Sequence, residues 1–143
     1  MAKAPLTVTV ITDTHYYSKK TGTKGKAYDA ANAKSQKLLK YSEELLRAAF
    51  KQIKEDKRTD IVLLSGDTTN NGEIEAHEEF IEMLRDLKKS GKRVYVLTAT
   101  HDYQDDGLTD SFVGNEKVKI PAAKREQLYE RYKEFGPDEA IAV

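Results

Sequence analysis

Three short runs rich in β-branched residues, Leu6 to Thr12, Asp60 to Ser65 and Arg93 to Thr98, each lead into a polar loop that carries acidic or imidazole side chains. Runs of this length and composition read as strands, and the stretches between them have helical periodicity. Ser42 is a suitable N-cap, Glu43 and Glu44 follow it, and Leu45, Leu46, Ala49, Phe50 and Ile53 fall along one side of the helix it opens, a side that should pack on the sheet. A second helix is predicted from about Glu73 to Ser90. Phe80, Ile81, Leu84 and Leu87 form its apolar stripe, acids come early, Lys88 and Lys89 come late, and Gly91 is the stop. A third, near Ala122 to Phe135, carries Leu128, Tyr129, Tyr132 and Phe135, starts after Pro121 and stops at Gly136-Pro137. The order β-α-β-α-β-loop-α is that of an α/β fold, with a mostly parallel sheet flanked by helices and right-handed crossovers.

Composition narrows the partners. The 143 residues contain 24 Lys plus Arg and 24 Asp plus Glu, so no excess field draws the chain to nucleic acid or to an anionic membrane. The basic stretch Lys34 to Lys40 is too short and interrupted to be a nucleic-acid patch. The absence of cysteine excludes disulfides, thiolate metal sites and a cysteine nucleophile, and it does not assign a compartment. No apolar stretch approaches the roughly 20 residues of a membrane span, and Met1 to Leu6 lacks the apolar core of a signal peptide. Tyr16 to Lys40 and Gln104 to Ile120 fall outside the regular pattern and follow strand ends. Segments of that kind are lids, substrate-contacting elements or plain insertions, and the first has room for a further helix.

The chemistry lies at the carboxyl ends of the three runs. In an open parallel sheet the loops beyond those ends converge on one crevice. Asp13 and His15 alternate, so in an extended strand end their side chains point the same way, about 6 to 7 Å apart, and could share a cation. Asp67 ends the second run, after Gly66, which lets the backbone approach a metal or phosphate without a Cβ. Gly72 then permits a sharp entry into the next helix. Carboxylate plus imidazole suits Mn, Fe or Zn. The plainer reading of Asp67 to Asn71 is a polar turn, with Asn71 or Gly72 capping the helix. After the third run, His101 beside Asp102 is a candidate general acid, because a carboxylate can orient the ring and raise its pKa. His77, between Glu75 and Glu78, reads as a solvated helix-surface residue.

Asp13-Thr14-His15, Gly66-Asp67 with Gly72, and an x-x-His-Asp loop after a third strand together resemble the calcineurin-like metallophosphoesterases. Their pattern is D-x-H, G-D-x-x-x-x-G and G-N-H-[DE], with two later histidine motifs ending in G-H-x-H. The likeness spans residues 7 to about 103, and Ser65 to Glu73 also resembles the bacterial cyclic-nucleotide-phosphodiesterase-like subgroup. The resemblance implies two divalent metal ions (Mn, Fe or Zn) and a small phosphate-ester substrate. It implies that Asp13 and His15 bind the first metal, that Asp67 bridges both, and that His101 protonates the leaving oxygen, oriented by Asp102. Thr14, Thr69 or Asn70 would orient the ligands. Thr100 stands where the family has the asparagine that binds the second metal, and it is a poorer ligand with a shorter reach.

No histidine follows His101. The resemblance therefore implies that residues 1–143 are the amino-terminal portion of a metallophosphoesterase domain. The carboxyl-terminal half with the later histidine motifs would be absent, and Ile141-Ala142-Val143 would stop where a further strand begins. The whole protein is expected to be a metal-dependent phosphoesterase, and these 143 residues to bind metal weakly and turn over slowly. The alternative is a non-catalytic binding or assembly module with a degenerate metal site, self-associating through an exposed sheet edge. An unrelated doubly wound α/β protein with clustered aspartates would leave His15 and His101 without a role.

Overall fold

In the computed structural model, which describes residues 5–141, the three β-branched runs form one parallel sheet. Strands β1 (Val8–Ile11), β2 (Ile61–Ser65) and β3 (Arg93–Leu97) lie in that order, with Val8 opposite Ile61 and Ile61 opposite Arg93. Side chains alternate across a strand, so this register puts Ile11, Val62, Leu64, Val94 and Val96 on one face of the sheet. The helices that connect the strands, α2 (Ser42–Glu55) and α3 (Ile74–Lys89), both cover that face. Leu46, Phe50 and Ile53 of the first and Phe80, Leu84 and Leu87 of the second join the strand residues in one apolar cluster. Consecutive crossovers that step the same way across a sheet leave their helices on the same side. Val8, Val10 and Leu97, on the opposite face, are exposed as a result. Among the described residues β1 and β3 are the sheet edges. The reading of Met1 to Leu6 falls largely on residues 1–4, and that of Ile141-Ala142-Val143 on residues 142–143; these lie outside the described residues.

The two irregular segments are more ordered than their sequence suggests. Residues 16–40 contain helix α1 (Lys26–Lys34), and Gln104 to Ile120 contains an antiparallel hairpin, β4 (Leu108–Val113) with β5 (Glu116–Pro121). The missed signal is Gly114-Asn115 between two alternating runs, a tight hairpin turn. The two segments pack on each other. Tyr17, Tyr28, Leu39 and Phe112 form a second small core, and the Ser111 hydroxyl donates to the Thr21 carbonyl at 2.8 Å.

Helix ends and faces differ in detail from the periodicity. Ser42 does not cap α2. Its Oγ accepts from the Tyr17 backbone N–H at 3.1 Å and donates to the Leu39 carbonyl at 3.0 Å, tying residues 16–41 to the helix. Leu45 is exposed, being the member of the expected stripe that faces a cleft instead of the sheet. Glu73, not Asn71 or Gly72, is the N-cap residue of α3. The third expected helix is shorter: a 3-10 turn at Arg125–Gln127, α4 (Leu128–Tyr132), then a second turn at Lys133–Phe135 before α5 (Pro137–Ile141). Ala122 instead pairs in a β-bridge with Glu73.

His77 is fully buried, which corrects its reading as a solvated residue. One ring nitrogen, Nε2, lies 2.9 Å from the Asp102 carbonyl, and the other, Nδ1, 2.7 Å from the Tyr132 hydroxyl. The carbonyl can only accept, so Nε2 carries the proton and Nδ1 accepts from tyrosine. The ring thereby joins α3, α4 and the loop after β3. Burial lowers its pKa to about 4, and the neutral form holds the fold. A histidine whose folded value lies below its unfolded one stabilises the protein fully above about pH 6.5 and loses that contribution as pH falls toward 4. Urea unfolding midpoints should therefore fall between pH 6.5 and 4, by an equivalent of about 3 kcal/mol at most. His77→Gln should be less stable at pH 7 and lack that acid-side loss.

Candidate metal centre

The loops after β1, β2 and β3 all leave the carboxyl end of the sheet, and backbone hydrogen bonds hold the first two together past the strand ends. Asp13 N–H donates to the Gly66 carbonyl at 3.2 Å, His15 N–H to Asp67 at 3.0 Å and Tyr16 N–H to Thr68 at 2.8 Å. This pairing continues only because the chain twists out of the extended conformation. Asp13, His15 and Asp67 have φ of 53°, 40° and 50°, and among the described residues they are the three non-glycine residues with positive φ. The left-handed region disfavours a Cβ, at roughly 1 to 3 kcal/mol per residue when strain is held at a site.

The consequence is convergence. Each of Asp13, His15 and Asp67 offers a ligand atom, and these atoms all lie within 4.8 Å of one another. Asp13 and His15 meet through left-handed backbone and not along an extended strand: His15 Nε2 is 3.7 Å from Asp13 Oδ1. Two carboxylates that close repel, and a cation between them removes the repulsion. Burial, with Lys37 and His101 nearby, lowers the His15 pKa and keeps its imidazole in the neutral form that binds metals. Its Nδ1 is buried without a hydrogen-bond partner. The donor chemistry and the convergence together fit one divalent cation.

Gly66 has a different role from the one its position suggests. Its φ is +105°, and a Cβ there would lie 2.7 Å from the Ala99 side chain, so the glycine lets the second and third loops touch. Gly72 does the same against the Tyr103 backbone, 3.0 Å from a notional Cβ, with φ +75°.

Asp102 does not orient the His101 ring. Its buried carboxylate accepts from the Thr68 hydroxyl at 2.6 Å, Thr69 N–H at 2.9 Å and Ala99 N–H at 2.8 Å, and so staples the third loop to the second. Thr14 adds a tie from the first loop, donating its hydroxyl proton to the Thr68 carbonyl at 2.8 Å. The His101 backbone N–H donates to Asp67 Oδ1 at 2.9 Å, which fixes that carboxylate. The His101 ring stands edge-on to His15 with centroids 4.8 Å apart. Its Nδ1 is 2.8 Å from the Asn70 carbonyl, which can only accept, so Nδ1 carries a proton and Nε2 is the nitrogen left for chemistry. Thr100 opens the 3-10 turn Thr100–Asp102 and lines a cleft with Tyr103, Arg125 and Tyr129, while Asp13 and His15 line another.

Two participants were not legible as site residues. Glu73 is fully buried and accepts from Asn71 N–H at 2.8 Å and the Asn70 side-chain amide at 3.1 Å, bracing the second loop; burial raises its pKa. Lys37 reaches in from the segment between α1 and α2. No motif flags it, since only the packing of residues 16–40 on the hairpin brings it here.

The model of the calcineurin-like phosphoesterase family matches residues 6–139, a span that includes the loops after all three strands. No curated protein matches the chain.

Asn tolerates left-handed backbone as Asp does. Asp13→Asn should therefore fold as the wild type does, with a metal-free melting temperature equal or higher because one of two facing charges is gone. Mn²⁺ is expected to raise the melting temperature of the wild type and not that of Asp13→Asn. Asp102→Ala strands two backbone N–H groups and the Thr68 hydroxyl, and chemical denaturation should show a loss of about 3 kcal/mol or more, with Asp102→Asn in between.

Proposed function

Because the chain belongs to the calcineurin-like phosphoesterase family, we propose that Asp13, His15 and Asp67 hold a divalent cation for phosphate-ester hydrolysis. The observation that carries this reading is the coincidence of backbone strain with donor identity: the three positive-φ, non-glycine residues are the three converging donors. Strain of that kind persists where the surrounding structure enforces it and function uses it. A bound cation polarises the phosphoryl oxygen and acidifies a water at neutral pH. The chain's own residues supply the rest. His101, with Nδ1–H held by the Asn70 carbonyl, presents Nε2 to protonate the departing ester oxygen. Asp102 acts through the backbone, keeping the His101 loop against Thr68 and Thr69. Asp67 is the donor a second cation would share, and Thr100, in place of an amide, would hold that cation weakly. Mn, Fe and Zn all suit the donor set. A phosphodiester is the finer substrate reading, supported by the resemblance of Ser65 to Glu73 to the cyclic-nucleotide-phosphodiesterase-like subgroup.

Calorimetric titration of Mn²⁺ should show about one site per chain, lost in Asp67→Ala. The Mn²⁺-loaded chain should hydrolyse bis(4-nitrophenyl) phosphate slowly and in preference to the monoester, and Asp67→Ala should abolish that turnover. Failure of the wild type to bind Mn²⁺ would overturn the metal site. Binding without hydrolysis of either ester would make these residues a binding module instead of a catalytic one.

A further inference from the structure

We propose that Lys37 is a substrate-positioning residue whose ammonium holds a phosphoryl oxygen of the ester bound beside Asp13, His15 and Asp67; the inference rests on the phosphoesterase reading above. Lys37 Nζ lies 3.2 Å from the Asn70 carbonyl, 3.3 Å from the Asn70 side-chain oxygen and 3.1 Å from His101 Nδ1. None of these partners is a carboxylate. An ammonium has three donors. Two go to Asn70. The third has no acceptor in His101, because Nδ1 already carries the proton it gives to the same Asn70 carbonyl. One N–H without a hydrogen-bonded acceptor therefore remains at the edge of the donor group.

The surroundings favour an anion there. Lys37 lines a cleft of about 730 Å³ together with Asp13, Thr14 and His15, and Leu38 and Leu45 are among its apolar lining residues. A half-buried ammonium with no carboxylate hydrogen-bonded to it is costly, and burial lowers its pKa against the more distant pull of Asp67, Glu73 and Asp13. Once a cation offsets Asp13 and Asp67, a phosphoryl group in the cleft meets that cation on one side and Lys37 on the other. Lysine serves as a point charge for phosphate in this way.

The fold also holds Lys37 in place. Its own N–H donates to Ser35 Oγ at 3.0 Å, closing a turn at the end of α1, and Leu39, two residues on, is anchored in the small core with Tyr17, Tyr28 and Phe112. The segment that reads in sequence as a polar loop is thus a mount that carries one cation to the site.

The test titrates inorganic phosphate into the Mn²⁺-loaded wild type, Lys37→Met and Lys37→Arg, with Mn²⁺ affinity and melting temperature measured on each. Methionine keeps most of the aliphatic stem and removes the charge; arginine keeps the charge. Phosphate affinity should fall at least about tenfold in Lys37→Met and recover to within about threefold in Lys37→Arg, with Mn²⁺ affinity held or raised in Lys37→Met. If Lys37 only braces the Asn70 loop, melting temperature and Mn²⁺ affinity fall together in Lys37→Met, and the proposal is overturned. It is equally overturned if Mn²⁺ binds but phosphate does not, or binds Lys37→Met as tightly as the wild type. A wild type that binds neither Mn²⁺ nor phosphate removes the phosphoesterase reading along with it.

Discussion

The structure depends on the pairing between the first two strands continuing past their ends. Within β1 and β2 the ladder is regular, and beyond them Asp13, His15 and Tyr16 still donate to Gly66, Asp67 and Thr68. Regular strands would have sent Asp13 and His15 away along the sheet. Left-handed backbone at three residues bends both loops while keeping their hydrogen bonds, and the three side chains meet. The strain is sustained from outside the site. The β-branched strands fix where the loops begin, Asp102 staples the third loop to the second, and Gly66 and Gly72 let the loops approach where a Cβ would collide.

Electrostatics and packing divide the work at this edge. Two carboxylates converge with His15 in a group that could hold a cation; Lys37 stands near them without a hydrogen-bonded carboxylate. Burial holds His15 and His77 neutral for different ends. His15 Nε2 lies 3.7 Å from the Asp13 carboxylate. The His77 ring spends both nitrogens on structure, linking Tyr132 to the Asp102 carbonyl and thereby tying the carboxyl-terminal helices to the third loop. The same residue type thus serves as a candidate ligand in one place and as a buried clasp in another.

Much of this was legible in the chain. The three strands, the two long helices and the α/β order follow from β-branched runs and from apolar spacing, since both periods are set by backbone geometry alone. The family match over residues 6–139 agrees with the motifs that suggested it. The hairpin was hidden because β5 is half charged and β4 carries polar Thr109, Asp110 and Ser111 at its centre, and α1 because its alanines and charged residues make almost no large apolar stripe. His77 was misread because its sequence neighbours are charged, while the group that buries it, Tyr132, lies 55 residues away.

The sequence by itself determined which elements form and which donors stand at their ends, because strand and helix patterns and short motifs are local properties of neighbouring residues. Tertiary structure alone decided how the donors meet. The left-handed turns, the use of Asp102 as a staple instead of a partner for His101, and the arrival of Lys37 beside Asn70 each depend on atoms from segments more than 30 residues apart. Such contacts arise only when burial and backbone hydrogen bonding are satisfied for the whole chain at once.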